Sequence, residues 1–123
     1  MANKAEQFVA MVFLGRDLAH REHLSTSNYA AHVALGAFYE QVIPLADAFA
    51  ETYMGRFNEV MKIPLMANEF EGDIADVLDQ QVAWIEDNRE KICPREESAL
   101  HNEIDTIVSL YLRTIFMLRR YQD

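Results

Sequence analysis

Four stretches of this chain repeat apolar residues at steps of three and four, and that period constrains the fold more than any other feature. In the last stretch Leu100, Ile104, Ile107, Val108, Tyr111, Ile115 and Leu118 recur in this way. Such spacing lines one face of a helix, whereas a strand would alternate every second residue. The same period runs through Phe8, Val12, Phe13, Leu18 and Ala19, then through Val33, Ala37, Phe38, Val42, Leu45, Ala46, Phe49 and Tyr53. It returns in Phe70, Ile74, Val77, Leu78, Val82 and Ile85. No stretch keeps a strand-like alternation, and no repeat or low-complexity segment interrupts the pattern.

The residues between these stretches set the predicted boundaries. Ser25, Thr26, Ser27 and Asn28 are all good amino-terminal caps, so a first helix spans 5–22 and a second 28–54. Gly55 is the expected stop of the second helix. Pro44 lies inside it, removes one hydrogen bond and is expected to bend it. A connection over 56–68 contains Pro64. A third helix covers 69–91, with an acidic first turn that suits the positive end of the helix dipole. The Cys93-Pro94 pair then breaks the chain, and a fourth helix runs over 94–121 with Pro94 in its first turn. The chain reads as one all-α domain over residues 1–123, an antiparallel four-helix bundle. Short connections make the first and second helices antiparallel neighbours, and likewise the third and fourth. The longer second connection is expected to cross the bundle.

Twenty acidic residues against eleven basic ones give a net charge of −9. Such a surface repels phosphate backbones, so DNA binding by charge is not expected, whereas cations or a basic partner suit it. Cys93 is the single cysteine, which rules out an internal disulfide and fits a reducing cytoplasm. No signal peptide or membrane span is read, and the expected location is cytoplasmic.

The residues with chemistry cluster around the first break. His20 closes the first predicted helix and His32 opens the second, so an antiparallel hairpin brings both toward one point. Imidazole suits iron, zinc, copper or nickel. Asp47 and Glu51, four apart, share one face of the second helix inside PLADAFAETYM. A metal ion, a basic subunit contact or water would each satisfy them. At a rise of about 1.5 Å per residue, Asp47 lies roughly 22 Å from His32, so one ion cannot reach both within one chain. Two copies of the second helix, antiparallel about a two-fold axis near Tyr39 and Glu40, solve this. His20 and His32 of one copy then meet Asp47 and Glu51 of the other, and two equivalent sites form. Gly36 and Ala37 allow close approach at the middle of that contact.

These residues, in the order H-x11-H-x14-D-x3-E, resemble the ferroxidase motif of the Dps mini-ferritins. HVALGAFYEQV is similar to that family's second helix, and EIDTIVSLYLRTIFMLRRYQ resembles its last. The short length resembles the small Dps-like proteins encoded by some bacteriophages. The resemblance implies a ferritin-like bundle with a crossover between the second and third helices, and a homo-oligomer that is at least a two-fold dimer and in the family a dodecamer. It implies iron, Fe2+ and Fe3+, or another divalent metal, held by His20, His32, Asp47 and Glu51 between subunits, with Fe(II) oxidised by oxygen or peroxide. Glu40 would guide cations inward, and His23 is an auxiliary candidate. No catalytic residue is implied beyond the metal ligands. Gly36 stands where the family carries a carboxylate, which removes one oxygen ligand per site. Arg21 stands where a Trp often follows the first histidine, and no basic amino-terminal tail supports DNA protection.

Plainer readings stand beside these. His20 and His32 are also ordinary polar residues near a loop, and the Asp47/Glu51 pair an ordinary solvated face. His23 reads first as an exposed loop-edge residue. Glu97, His101 and Asp105 form a stripe on the fourth helix that reads as a solvated face. Trp84 reads as packing or interface, and Cys93 has no base near it in sequence. The rival function is a non-enzymatic acidic bundle, phage-encoded, that binds a host or virion protein and retains a relic of the metal site.

Overall fold

The computed structural model describes residues 1–67 and 72–123. Four helices account for most of them: α1 Lys4–Ser25, α2 Tyr29–Phe57, α3 Ile74–Ile92 and α4 Ser98–Arg120. The fold is an all-α bundle, and none of these helices is long and apolar enough to cross a membrane.

Local chemistry explains the helix ends. Asn3 and Glu6 form a reciprocal capping box, with the Asn3 side chain accepting from the Glu6 N–H at 2.8 Å and the Asn3 N–H donating to Glu6 at 2.9 Å. The Asn28 side chain caps α2 by accepting the Ala31 N–H at 2.8 Å. α2 runs unbroken through Pro44. The hydrogen bond Pro44 cannot donate belongs to the Glu40 carbonyl, and both residues are exposed, so water replaces it.

Three predicted boundaries differ. α2 continues through Gly55 and closes instead at Asn58, left-handed at φ 53°, a conformation asparagine tolerates because its short polar side chain bonds locally. The third helix begins at Ile74, capped by Asp73, rather than at 69; residues 69–71, Phe70 among them, lie outside the described residues. The fourth begins at Ser98 rather than 94. Pro94–Glu97 form a turn in which Glu97 N–H donates to the Pro94 carbonyl at 3.0 Å.

In cross-section, α1 packs on α2 and α3, and α4 packs on α2 and α3. Arg56 near the end of α2 pairs with Glu97 at the start of α4, and Arg119 near the end of α4 pairs with Asp76 and Asp79 at the start of α3. α4 is therefore antiparallel to both. The core includes Phe8, Leu35, Phe38, Phe49, Leu78, Ile85, Ile104 and Tyr111. Phe8 meets Phe49 edge-on at 4.9 Å, and Phe38 meets Tyr111 at 5.0 Å. Phe13 and Val33, expected in the core, are exposed instead. A three-four pattern leaves a residue at the edge of the apolar stripe, and tertiary packing decides whether it is covered.

One polar chain crosses the core. Tyr111 Oη donates to Gln81 Oε1 at 2.6 Å, and Gln81 Nε2 donates to the Met11 carbonyl at 3.1 Å. Gly15 makes this possible, since a Cβ there would collide with the Gln81 amide and stand 2.9 Å from Tyr111 Oη. Burial raises the pKa of Tyr111, so the phenol stays a donor.

Candidate functional site

The turn between α1 and α2 gathers a column of rings. His23 stacks on His32 with centroids 3.8 Å apart and planes 15° from parallel. His20 stacks on Tyr39 at 4.2 Å, and His23 meets the same Tyr39 edge-on at 5.3 Å. The Arg16 guanidinium lies 5.3 Å from the Tyr39 centroid, and Tyr29 flanks His32 at 6.1 Å. All three histidines are half-buried. His23 neighbours both His20, at 6.4 Å, and His32, at 3.8 Å, around the turn.

His23 is therefore neither at an exposed loop edge nor spare. Its Nδ1 lies 2.6 Å from the His32 carbonyl, and His32 Nδ1 lies 2.8 Å from the His23 carbonyl. A carbonyl can only accept, so each Nδ1 carries the hydrogen. In the neutral rings both Nε2 atoms are then lone-pair acceptors, and neither has a hydrogen-bond partner among the described residues. The two rings are thus fixed in one tautomer by backbone atoms. The His23 carbonyl is free for this role because it belongs to the last turn of α1, where no following residue supplies the helical N–H.

Gly36 has a different purpose from the one its position suggests. A Cβ there would lie 3.0 Å from His23 Cε1 and 3.2 Å from Nδ1. The room left by Gly36 is taken by the His23 ring of the same chain.

Asp47 and Glu51 lie on the exposed side of α2, about 22 Å and about 28 Å from His32 along the helix. Neither forms an ion pair among the described residues. Glu40 is also exposed, between the two groups. No cluster of three or more His, Cys, Asp or Glu side chains arranged for a metal occurs within one chain among the described residues.

The opposite end of the bundle holds the fourth histidine. Arg89 Nε donates to His101 Nδ1 at 3.2 Å, which leaves His101 Nε2 protonated and donating to the Pro94 carbonyl at 3.0 Å. Cys93 Sγ lies 3.4 Å from the same Nε2. The fold thus supplies Cys93 with the basic residue its sequence neighbourhood lacks, but both ring nitrogens are engaged. Burial pushes the thiol up to about 11, with the Arg89 charge pulling the other way. The expected solvated stripe is instead an ordered network, in which Arg89 also pairs with Glu86 and Asp105.

Arg16 escaped the sequence reading, and Tyr39, placed there near a two-fold axis, was not expected to stack on the histidines. The signal was present, because Arg16, His20 and His23 sit one helical turn apart.

Comparison with known proteins adds a family but no activity. No solved structure matches the chain. It is similar to the "Uncharacterized 14.6 kDa protein in mobD-ri intergenic region" of Enterobacteria phage T4, 24% identical over 118 residues that cover 94% of this chain and 88% of the relative. The model of one family, described as "Family of unknown function (DUF5856)", matches residues 23–118, a span holding His23, His32, Gly36, Asp47 and Glu51, and the chain belongs to that family.

Proposed function

We propose that this protein is a ferritin-like, Dps-type subunit that binds iron, or another divalent cation, where two copies meet along α2. The observation that carries this reading is the tautomer of His32. With hydrogen on Nδ1, the ring offers its Nε2 lone pair, the form in which histidine binds metals. Asp47 and Glu51 add unpaired carboxylates on the same unbroken helix. Two copies antiparallel about Tyr39 and Glu40 would join these oxygens to the nitrogens of His20 and His32. Such a mixed set suits Fe(II).

A ferritin-like order of helices is supported by the packing. α2 and α3 are both antiparallel to α4, so they run the same way, and a connection between them has to travel the length of the bundle. Lys62 N–H donates to Glu6 at the start of α1 at 2.7 Å, while Met66 lies beside Met11, Leu14 and Trp84 further along. Fe(II) would be the substrate, giving its electron to oxygen or peroxide. With the His23 ring where the family carries a carboxylate, cation binding is the main expectation and oxidation the slower one.

Anaerobic Fe(II) titration followed by air tests the proposal. A saturable absorbance change, lost in His32→Ala and in Asp47→Ala, is expected. Light scattering should find a dimer or a larger closed assembly. A second reading is a metal-free acidic interaction bundle in a phage-infected cell or a virion. The similarity to a phage protein favours it, as do Val33, Phe116 and Tyr121, apolar yet exposed. Wild-type protein that binds no Fe(II) would leave only this second reading.

A further inference from the structure

We infer that His23, seated on Gly36, is a positioning residue that holds the His32 imidazole in its Nδ1–H form, with Nε2 left as the lone-pair nitrogen. Three contacts converge on this. The His23 ring covers one face of His32 at 3.8 Å. Its Nδ1–H is tied to the His32 carbonyl at 2.6 Å, which pins the start of α2 to the end of α1. That tie keeps the His23 carbonyl 2.8 Å from His32 Nδ1, where it accepts the hydrogen that defines the tautomer. The arrangement closes on itself, since each ring is oriented by the other's backbone.

Gly36 is the enabling residue. The His23 ring is confined between the His32 face and the α2 backbone. Any side chain at 36 would start 3.0 Å from His23 Cε1, so the ring would have to shift by a few tenths of an ångström, which strains its short bond to the His32 carbonyl. The missing side chain at 36 and the seat of the His23 ring are thus one structural fact. The seat also explains why His23 and His32 do not act as a chelating pair. Each Nδ1–H is spent on the other residue's backbone, so neither ring can offer its Nδ1 lone pair to a shared ion.

The value of this to a metal rests on the iron reading; the tautomer does not. The test is therefore two-part. Two-bond 1H–15N correlation spectra of the metal-free protein, at a pH where the imidazoles are neutral, report which nitrogen of His32 is protonated. Wild type should show a protonated Nδ1 on both His23 and His32. His23→Ala should lose that pattern at His32. Gly36→Ala should lose it too, although it keeps every imidazole and adds a better helix former, so unchanged helicity by circular dichroism separates displacement from unfolding. His20→Ala should leave the His32 pattern intact. A protonated Nε2 on wild-type His32, or a His32 pattern that survives both His23→Ala and Gly36→Ala, overturns the inference. Anaerobic Fe(II) titration of the same proteins then judges the site. If the tautomer responds as stated but wild type binds no Fe(II), the positioning role stands and the iron reading falls. If Fe(II) binds equally well with the tautomer unaltered in both variants, the reverse holds.

Discussion

The two ends of the bundle treat histidine in opposite ways. At the α1–α2 turn, His23 and His32 spend their Nδ1–H groups on backbone carbonyls and leave Nε2 open. At the α3–α4 turn, His101 carries its hydrogen on Nε2, donates it to the Pro94 carbonyl and accepts from Arg89 on the other nitrogen. Both sites join consecutive helices, and both use the unsatisfied carbonyls of a turn. The difference lies in the third partner. A guanidinium hydrogen-bonds the histidine of the second site, while aromatic rings, another imidazole with Tyr29 and Tyr39, line the first. A histidine with both nitrogens engaged is a strut, and one with a free lone pair is available to a ligand.

The largest effect expected from this contrast is at Cys93. With the pKa raised from an ordinary 9.0 to about 11, the thiolate fraction at mildly alkaline pH falls roughly 100-fold, each unit being tenfold. Alkylation by iodoacetamide should be slower by about that factor in the folded protein than in urea. Equal rates would show that the folded environment does not suppress the thiol, and would erase the distinction between the two turns. The same shift sets a sign for stability. The unfolded thiol ionises first, so stability should fall as pH rises from about 9 toward 11 and be unaffected by this group below that window.

Next comes Arg89→Ala, which removes the donor to His101 together with ion pairs to Glu86 and Asp105. Urea unfolding should register a loss of roughly 2 kcal/mol, and the His32 tautomer should not change. A change at His32 would mean that the two ends are coupled through the bundle. The smallest effect on stability, about 1 kcal/mol or less, is expected for His32→Ala, since one neutral hydrogen bond is lost at a half-buried site. Its Fe(II) affinity should nevertheless drop at least about tenfold, whereas His101→Ala should leave affinity unchanged. If His101→Ala proved to be the variant that impaired binding, the assignment of open and closed histidines would be reversed.

The helices were legible because their signals are local. Asn28 acts as a cap, and the buried faces follow the three-four period, as in Leu100, Ile104, Ile107 and Tyr111. The errors fell at ends and edges. Gly55 offered a stop that α2 did not use, because a helix ends where packing and a cap coincide, and Asn58 supplied the left-handed residue. Pro94 offered a first turn, yet the residues after it formed a separate turn before Ser98.

Sequence spacing alone determined that His20 and His32 flank a turn and that Asp47 and Glu51 share a face, since helix geometry is periodic and needs no knowledge of neighbours. Only tertiary structure decided that His23 is the stacked partner of His32, that Gly36 is its seat, and that His101 rather than water faces Cys93. Those facts depend on which ring nitrogen meets which carbonyl or guanidinium across two helices. A one-dimensional pattern carries residue types and intervals, but the direction of a hydrogen bond is set by atoms brought together from separate parts of the chain.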